Sequence, residues 1–194
     1  MIRKIFEKVW QALIKKRPNY LIEAGWFEDS KYSNGMPIGG IAAVQNYGAT
    51  INNPGGQPFF KDKEGNVVYA SKSSPYAKRM AKTKPHTIVI PPTHFMEHCQ
   101  EKNKEKWKEQ CIKAWGAVFR GEISAENAME QLGMMMEGDI AKEIAQTNTP
   151  ALSPKTIETR KNRMSDKKTT GNLTKRLIDT GVMFESVSHK VTKK

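Results

Sequence analysis

The sequence predicts an α+β fold, a small antiparallel sheet covered by two long helices, with an N-terminal amphipathic helix. Three observations carry that expectation. Short apolar segments at about 20–28, 57–71, 86–90 and 187–192 have the length and the turn-rich flanks of strands. Two longer segments, from about Thr93 to Arg120 and from Ser124 to about Gln146, repeat their apolar residues with helical period. Residues 2–17 place Ile2, Ile5, Phe6, Val9 and Leu13 on one stripe, with Arg3, Lys4, Lys8 and Lys15 mostly off it. The 194 residues form one domain on this reading. Its parts are a basic N-terminal helix over 1–19, a loop-and-hairpin insertion over 49–89, and a basic C-terminal segment over 149–194.

In chain order, Pro18-Asn19 ends the first helix, whose apolar stripe faces the core or docks on a neighbouring subunit or a membrane surface. Tyr20 to Glu28 reads as a buried strand, and Asp29 to Gly35 as a polar turn with an Asn-Gly pair. Ile38 to Gly48 is a short helix closed by Gly48. Asn52-Asn53-Pro54-Gly55-Gly56 is a loop, and Gln57–Asp62 with Asn66–Ser71 flank a hairpin turn. Ser73 to Lys84 reads as a mobile basic loop. Lys72, Lys78, Arg79, Lys82 and Lys84 are solvated charge on one reading and phosphate contacts on another, with Tyr69 and Tyr76 available to stack on bases. Ile88-Val89-Ile90 is a strand stopped by Pro91-Pro92.

In the first long helix Cys99, Asn103, Trp107, Cys111, Ala114 and Val118 make the inward stripe. Ser124 caps the second, where Ala128, Met129, Leu132, Met135, Met136, Ile140 and Ile144 keep period and Met134 points elsewhere. The methionines pack in the core or, alternatively, make an adaptable binding face. Ser153-Pro154 starts a short basic helix through Ile157, Arg160 and Arg163. Asp179 or Thr180 caps a last helical turn, and Val187 to Val191 alternates as the final strand.

Charge gathers at the two ends. Residues 1–19 carry +5 and residues 149–194 carry +7 of the formal +12, which leaves the middle neutral. The basic residues singled out for interaction are Arg3, Lys4, Lys8, Lys15, Arg160, Arg163, Lys167 and Lys168. Charge so placed suits termini that dock on an acidic protein surface and order on assembly, or a basic DNA-binding protein. No apolar run reaches the roughly 18 residues of a membrane span, and no signal-peptide pattern is present.

Chemistry is sparse. His94 and His98 share a helix face beside Glu97 and Cys99, but no distant third ligand completes a zinc site, so neither metal nor cofactor is expected. Asp139 and Glu143 share a face that reads as solvent-exposed. Cys99 and Cys111, about 18 Å apart along one helix, cannot be bridged and read as buried thiols in a reducing compartment. No nucleophile motif or phosphate-binding loop occurs, and the chain reads as a non-enzyme.

One family shares several short motifs in this order. They are Gly25-Trp26-Phe27-Glu28, Ala42-Ala43-Val44-Gln45-Asn46-Tyr47-Gly48, Ile90-Pro91-Pro92 followed by Phe95, and Leu177-Ile178-Asp179-Thr180-Gly181. Over roughly Tyr20 to Val191 the sequence resembles the tail-completion or neck proteins of tailed bacteriophages. It departs from them in the long segment between Gly48 and Ile90, where the family passes quickly to the prolines. The resemblance implies a structural virion protein that is assembled in the host cytoplasm, completes the tail and joins it to the head. It also implies a homo-oligomeric ring, a hexamer matching the tail, with neighbouring tail and head–tail connector proteins as partners. Genomic DNA would pass through the lumen, and no membrane is involved.

Overall fold

The computed structural model describes residues 19–63, 65, 67–166 and 173–194, so the predicted helix over 2–17 lies outside the described residues. Within them the chain is α+β and forms two compact units, one of residues 1–42 with 94–194 and one of Ala43–Thr93.

The first unit begins with β1 (Tyr20–Gly25), which pairs antiparallel with β7 (Ser188–Lys193) in the register Tyr20↔Lys193 to Gly25↔Ser188. Alternation along both strands sets one face toward the helices. Helix α1 (Ile38–Tyr47) starts in this unit and runs into the second. Two long helices, α2 (Phe95–Phe119) and α3 (Ala125–Gln146), pack on one another, and α3 also lies against β1 and β7. Ser124 caps α3 as its sequence predicts, its Oγ accepting from Asn127 N at 3.1 Å. Ser153 does the same for α4 (Pro154–Asp166), accepting from Thr156 N at 3.2 Å, with proline at the first helical position. The last helical turn, α5 (Val182–Glu185), is preceded by Gly181 in the left-handed conformation rather than by the expected Asp179 or Thr180. Asp179 instead faces Arg160.

Two apolar clusters fill this unit. One gathers Ile38, Ala42, Phe95, Cys99, Ile140, Ile144, Leu177, Met183 and Val187, with Trp26 and Trp107 against it. Trp26 donates Nε1–H to Met183 O at 2.9 Å and meets the Phe95 ring edge-on at 6.1 Å. The other holds Ala128, Met129 and Leu132 against Tyr20, Ile22, Val191 and the inner face of α2. Met134 is exposed, as its position on α3 predicts. Here the structure corrects one expectation. The stretch 173–194 is not a basic terminus awaiting assembly, because Leu177, Met183 and Val187 are core and β7 completes the β1 pair.

The second unit holds two small sheets. In one, β2 (Ala49–Asn53) pairs antiparallel with β6 (His86–Ile90). In the other, β3 (Pro58–Lys61) lies between β4 (Val67–Tyr69) and β5 (Ala81–Lys82). The expected hairpin over 57–71 is β3–β4, whereas β2 reaches into the expected loop over 52–56, taking up Asn52 and Asn53. The strands expected in one sheet are thus divided among three sheets. Each strand's apolar pattern specifies a face but not a partner.

Gly48 shows why Tyr-Gly and Pro-Pro belong together in this unit. Its φ is +76°, and a Cβ there would sit 2.7 Å from Ile90 O and 3.0 Å from Pro92. Thr93 then returns to the end of α1, where its N–H and hydroxyl bond Gln45 O at 3.1 and 2.8 Å.

The burial pattern yields an expected outcome. Ile144→Ala, at a fully buried site, should lower unfolding free energy by about 2–5 kcal/mol. Lys104→Ala, on the exposed face of α2, should change it by less than about 0.5 kcal/mol. Urea denaturation of the two variants compares them directly.

Candidate interaction surfaces

Most of the basic residues expected to interact lie beyond what the structure describes. Arg3, Lys4, Lys8, Lys15, Lys167 and Lys168 are outside the described residues, and Arg163 is placed only as a backbone position in α4.

Arg160 is described, and it faces inward. Its guanidinium is buried, donating Nη1–H to Lys175 O at 2.7 Å and to Ile178 O at 3.1 Å, and Nη2–H to Arg176 O at 3.3 Å. Its Nε lies 3.4 Å from Asp179 Oδ1. A loop without regular secondary structure leaves its carbonyls to be satisfied by side chains, and the planar five-donor guanidinium suits several at once. Arg176 is buried beside it and donates to Pro150 O at 3.1 Å. Burial first, and the neighbouring charge of Arg160 second, pull its pKa below the usual arginine value. Arg160 therefore organises the loop before α5 and is not a surface cation. This corrects the sequence expectation, which read charge without seeing the carbonyls that the fold sets around it.

The carboxylates of α3 are a second correction. Asp139 and Glu143 are not solvent-exposed; their side chains retain 11% and 13% of their accessibility. Asp139 Oδ2 accepts from Trp107 Nε1 at 2.7 Å and from Lys106 Nζ at 2.6 Å, and Glu143 Oε2 accepts from Lys102 Nζ at 3.3 Å. Together they pin α3 to α2 in an antiparallel register. Next to them the Cys99 thiol is raised above its ordinary pKa, by burial first and then by the charges of Glu143 and Asp139. It stays protonated and packs as a small apolar side chain. Neither cysteine is in a disulfide.

His94 and His98 sit at the start of α2 with exposed side chains, and His94 adopts φ 51° as the residue before the helix. Among the described residues no group of three or more histidine, cysteine or acidic side chains is arranged to hold a metal ion.

The polar cluster that sequence reasoning missed is on β7. His189 Nδ1 lies 2.6 Å from Glu137 Oε2 and its Nε2 2.9 Å from Glu130 Oε2. The ring lies over Gly133, where any Cβ would collide with the imidazole. Glycine inside a helix costs about 1 kcal/mol relative to alanine, and here it makes room for a ring held between two carboxylates of the same helix. The Glu137 hydrogen bond raises the His189 pKa most, burial works against it, and the bond to Glu130 raises it further. A glycine three residues after one glutamate and four before another was the only signal in the sequence.

Large apolar side chains reach solvent chiefly in the second unit, where Tyr47, Ile51, Phe60, Tyr69, Tyr76 and Val89 are all exposed, Val89 at 67%. Among the described residues the two-stranded β2–β6 sheet also has an unpaired edge on each strand. In the first unit, a groove of about 250 Å³ between α2 and α3 is lined by Gln110, Lys113, Ala117, Ile123, Gln131 and Met135 among others. No helix among the described residues is long and apolar enough to cross a membrane. Comparison with protein-family models, with curated proteins and with solved structures finds no match to this chain.

Two outcomes follow from these contacts. Arg160→Met should cost about 1–3 kcal/mol, because it removes the guanidinium donors from the buried carbonyl of Arg176 and the partly buried carbonyls of Lys175 and Ile178. Equilibrium unfolding measures it. For His189 the folded pKa exceeds the unfolded value, so its ion-pair stabilisation is complete below about pH 6.5 and is lost as pH rises through the raised folded value. The stability difference between the parent protein and His189→Gln should therefore be largest below about pH 6.5 and shrink as pH rises through the raised folded value. A difference independent of pH would show that the imidazole carries no charge in the folded protein.

Proposed function

We propose that this protein is a structural subunit of the neck of a tailed-bacteriophage particle, one member of a closed homo-oligomeric ring that completes the tail and joins it to the head. The observation that carries the reading is where the shared motif residues fall. Trp26, Ala42, Phe95, Leu177 and Ile178 come from segments distant in sequence, and all meet in or against one apolar cluster of the first unit. Tyr47-Gly48 and Ile90-Pro91-Pro92 meet in the second. The motifs are thus parts of a scaffold, which is what a shared order of short, chemically inert segments implies.

The exposed apolar faces and open strand edges of the second unit support an assembled state, since such surfaces are covered in oligomers. On this reading the ring is a hexamer matching the tail. It contacts neighbouring tail and head–tail connector proteins, encloses genomic DNA in its lumen, and performs no catalysis.

Native mass measurement with electron microscopy of the purified full chain tests the reading. The expected result is a fixed multiple of 21.9 kDa and closed rings of uniform diameter that attach to isolated tails. Protein that stays monomeric at high concentration and does not associate with tails overturns it.

A further inference from the structure

The second unit concentrates positive charge. Residues 43–93 hold seven basic and two acidic side chains, so the neutral middle of the chain conceals a basic unit within it. The segment expected to be a mobile loop is folded. Ser74 N bonds Ser71 O at 3.0 Å, Ala77 N bonds Ser74 O at 2.9 Å, and Arg79 N bonds Tyr76 O at 3.0 Å. Gln57 ties its two sides together, donating Nε2–H to Ala70 O at 2.6 Å and N–H to Thr83 Oγ1 at 3.0 Å. Pairing of Pro58 with Lys82 and of Phe59 with Ala81 sets β5 beside β3.

These bonds shape an open depression of about 190 Å³ lined by Gly56, Pro58, Lys72, Ala77, Lys78 and Lys82. Pro58 and Ala77 are buried, while the three lysines are exposed. No ion pair among the described residues involves Lys72, Lys78 or Lys82, and no carboxylate contributes to the lining. Three exposed lysines lining one open depression make a locally positive surface, and phosphate oxygens are the usual partners of lysine as a point charge. The charge also extends past a single phosphate. Arg79 and Lys84 are exposed in the same segment, and Tyr76 is 66% exposed between Lys72 and Lys78 in the chain. An extended polyanion uses all of these, whereas a free phosphate uses only the depression.

We propose that the lysine-rimmed depression of the second unit binds backbone phosphates of nucleic acid, without regard to base sequence. The site is built entirely within residues 43–93 and does not depend on the neck reading. Short duplex DNA binding to the full chain, followed by fluorescence anisotropy from about 50 to 200 mM salt, reads it. The triple variant Lys72→Gln, Lys78→Gln, Lys82→Gln should reduce the steepness of the log–log salt dependence by about 2.7, three phosphates at about 0.9 each. Its affinity at the lowest salt should fall at least tenfold. The charge-matched control Lys104→Gln, Lys113→Gln, Lys142→Gln, on the exposed faces of α2 and α3, should leave the slope nearly unchanged. Circular dichroism and urea midpoints establish that both triple variants fold.

Equal losses in the two triple variants overturn the proposal, since net charge alone then explains binding. An unchanged slope in the first variant overturns it as well. Inorganic phosphate binding, read by phosphorus NMR line broadening and abolished in the first variant while duplex affinity is unaffected, assigns the depression to a free anion and also overturns it.

Discussion

Helix α3 has to satisfy two neighbours at once, and the first unit is organised by that demand. Along one side Ala128, Met129 and Leu132 meet β1 and β7, and farther on Ile140 and Ile144 enter the cluster built around Phe95. A two-stranded ribbon such as β1–β7 is marginal in water by itself, so its stability derives from the helix laid across it. The strands in turn come from opposite ends of the described chain. Their pairing closes a long loop, whose entropy the packing on α3 must offset. The segment from Leu177 to Val187 is drawn into the core by that closure.

Polar groups decide how the apolar surfaces are aligned. The apolar stripes of α2 and α3 would tolerate sliding, because dispersion and hydrophobic contact have little directional preference. Asp139, accepting from both Lys106 and Trp107, and Glu143, accepting from Lys102, remove that freedom at successive turns. On the opposite partner of α3, His189 sits between Glu130 and Glu137 above Gly133 and fixes the position of β7 along the helix. Arg160 does the same for a loop without secondary structure by collecting carbonyls from 175 to 178. Charged pairs in which one member is largely withdrawn from water and the other stays partly exposed thus set register here, and apolar burial drives collapse.

The second unit follows a different balance. Its β2–β6 pair has exposed apolar side chains and open edges, and its small three-stranded sheet encloses little beyond Pro58 and Ala77. Turns do most of the ordering, through Gln57, Thr83 and the serines at 71 and 74. A unit of this kind presents chemistry at its surface, where apolar and cationic side chains lie close together in sequence.

By itself the sequence determined the α+β class, the two long helices with their inward faces, the caps at Ser124 and Ser153, the hairpin after Gln57 and the outward position of Met134. Those are local properties, written in periodicity and in side chains that bond their own backbone within a few residues. Only the tertiary structure decided which strand pairs with which, that Asp139 and Glu143 are clamps, that Arg160 turns inward, and that Gly133 receives His189. It also decided that Lys72, Lys78 and Lys82 share one depression. Each of these joins residues distant in the chain or depends on the space between elements. A sequence pattern specifies a face, whereas the partner of that face is chosen by the packing of the whole unit.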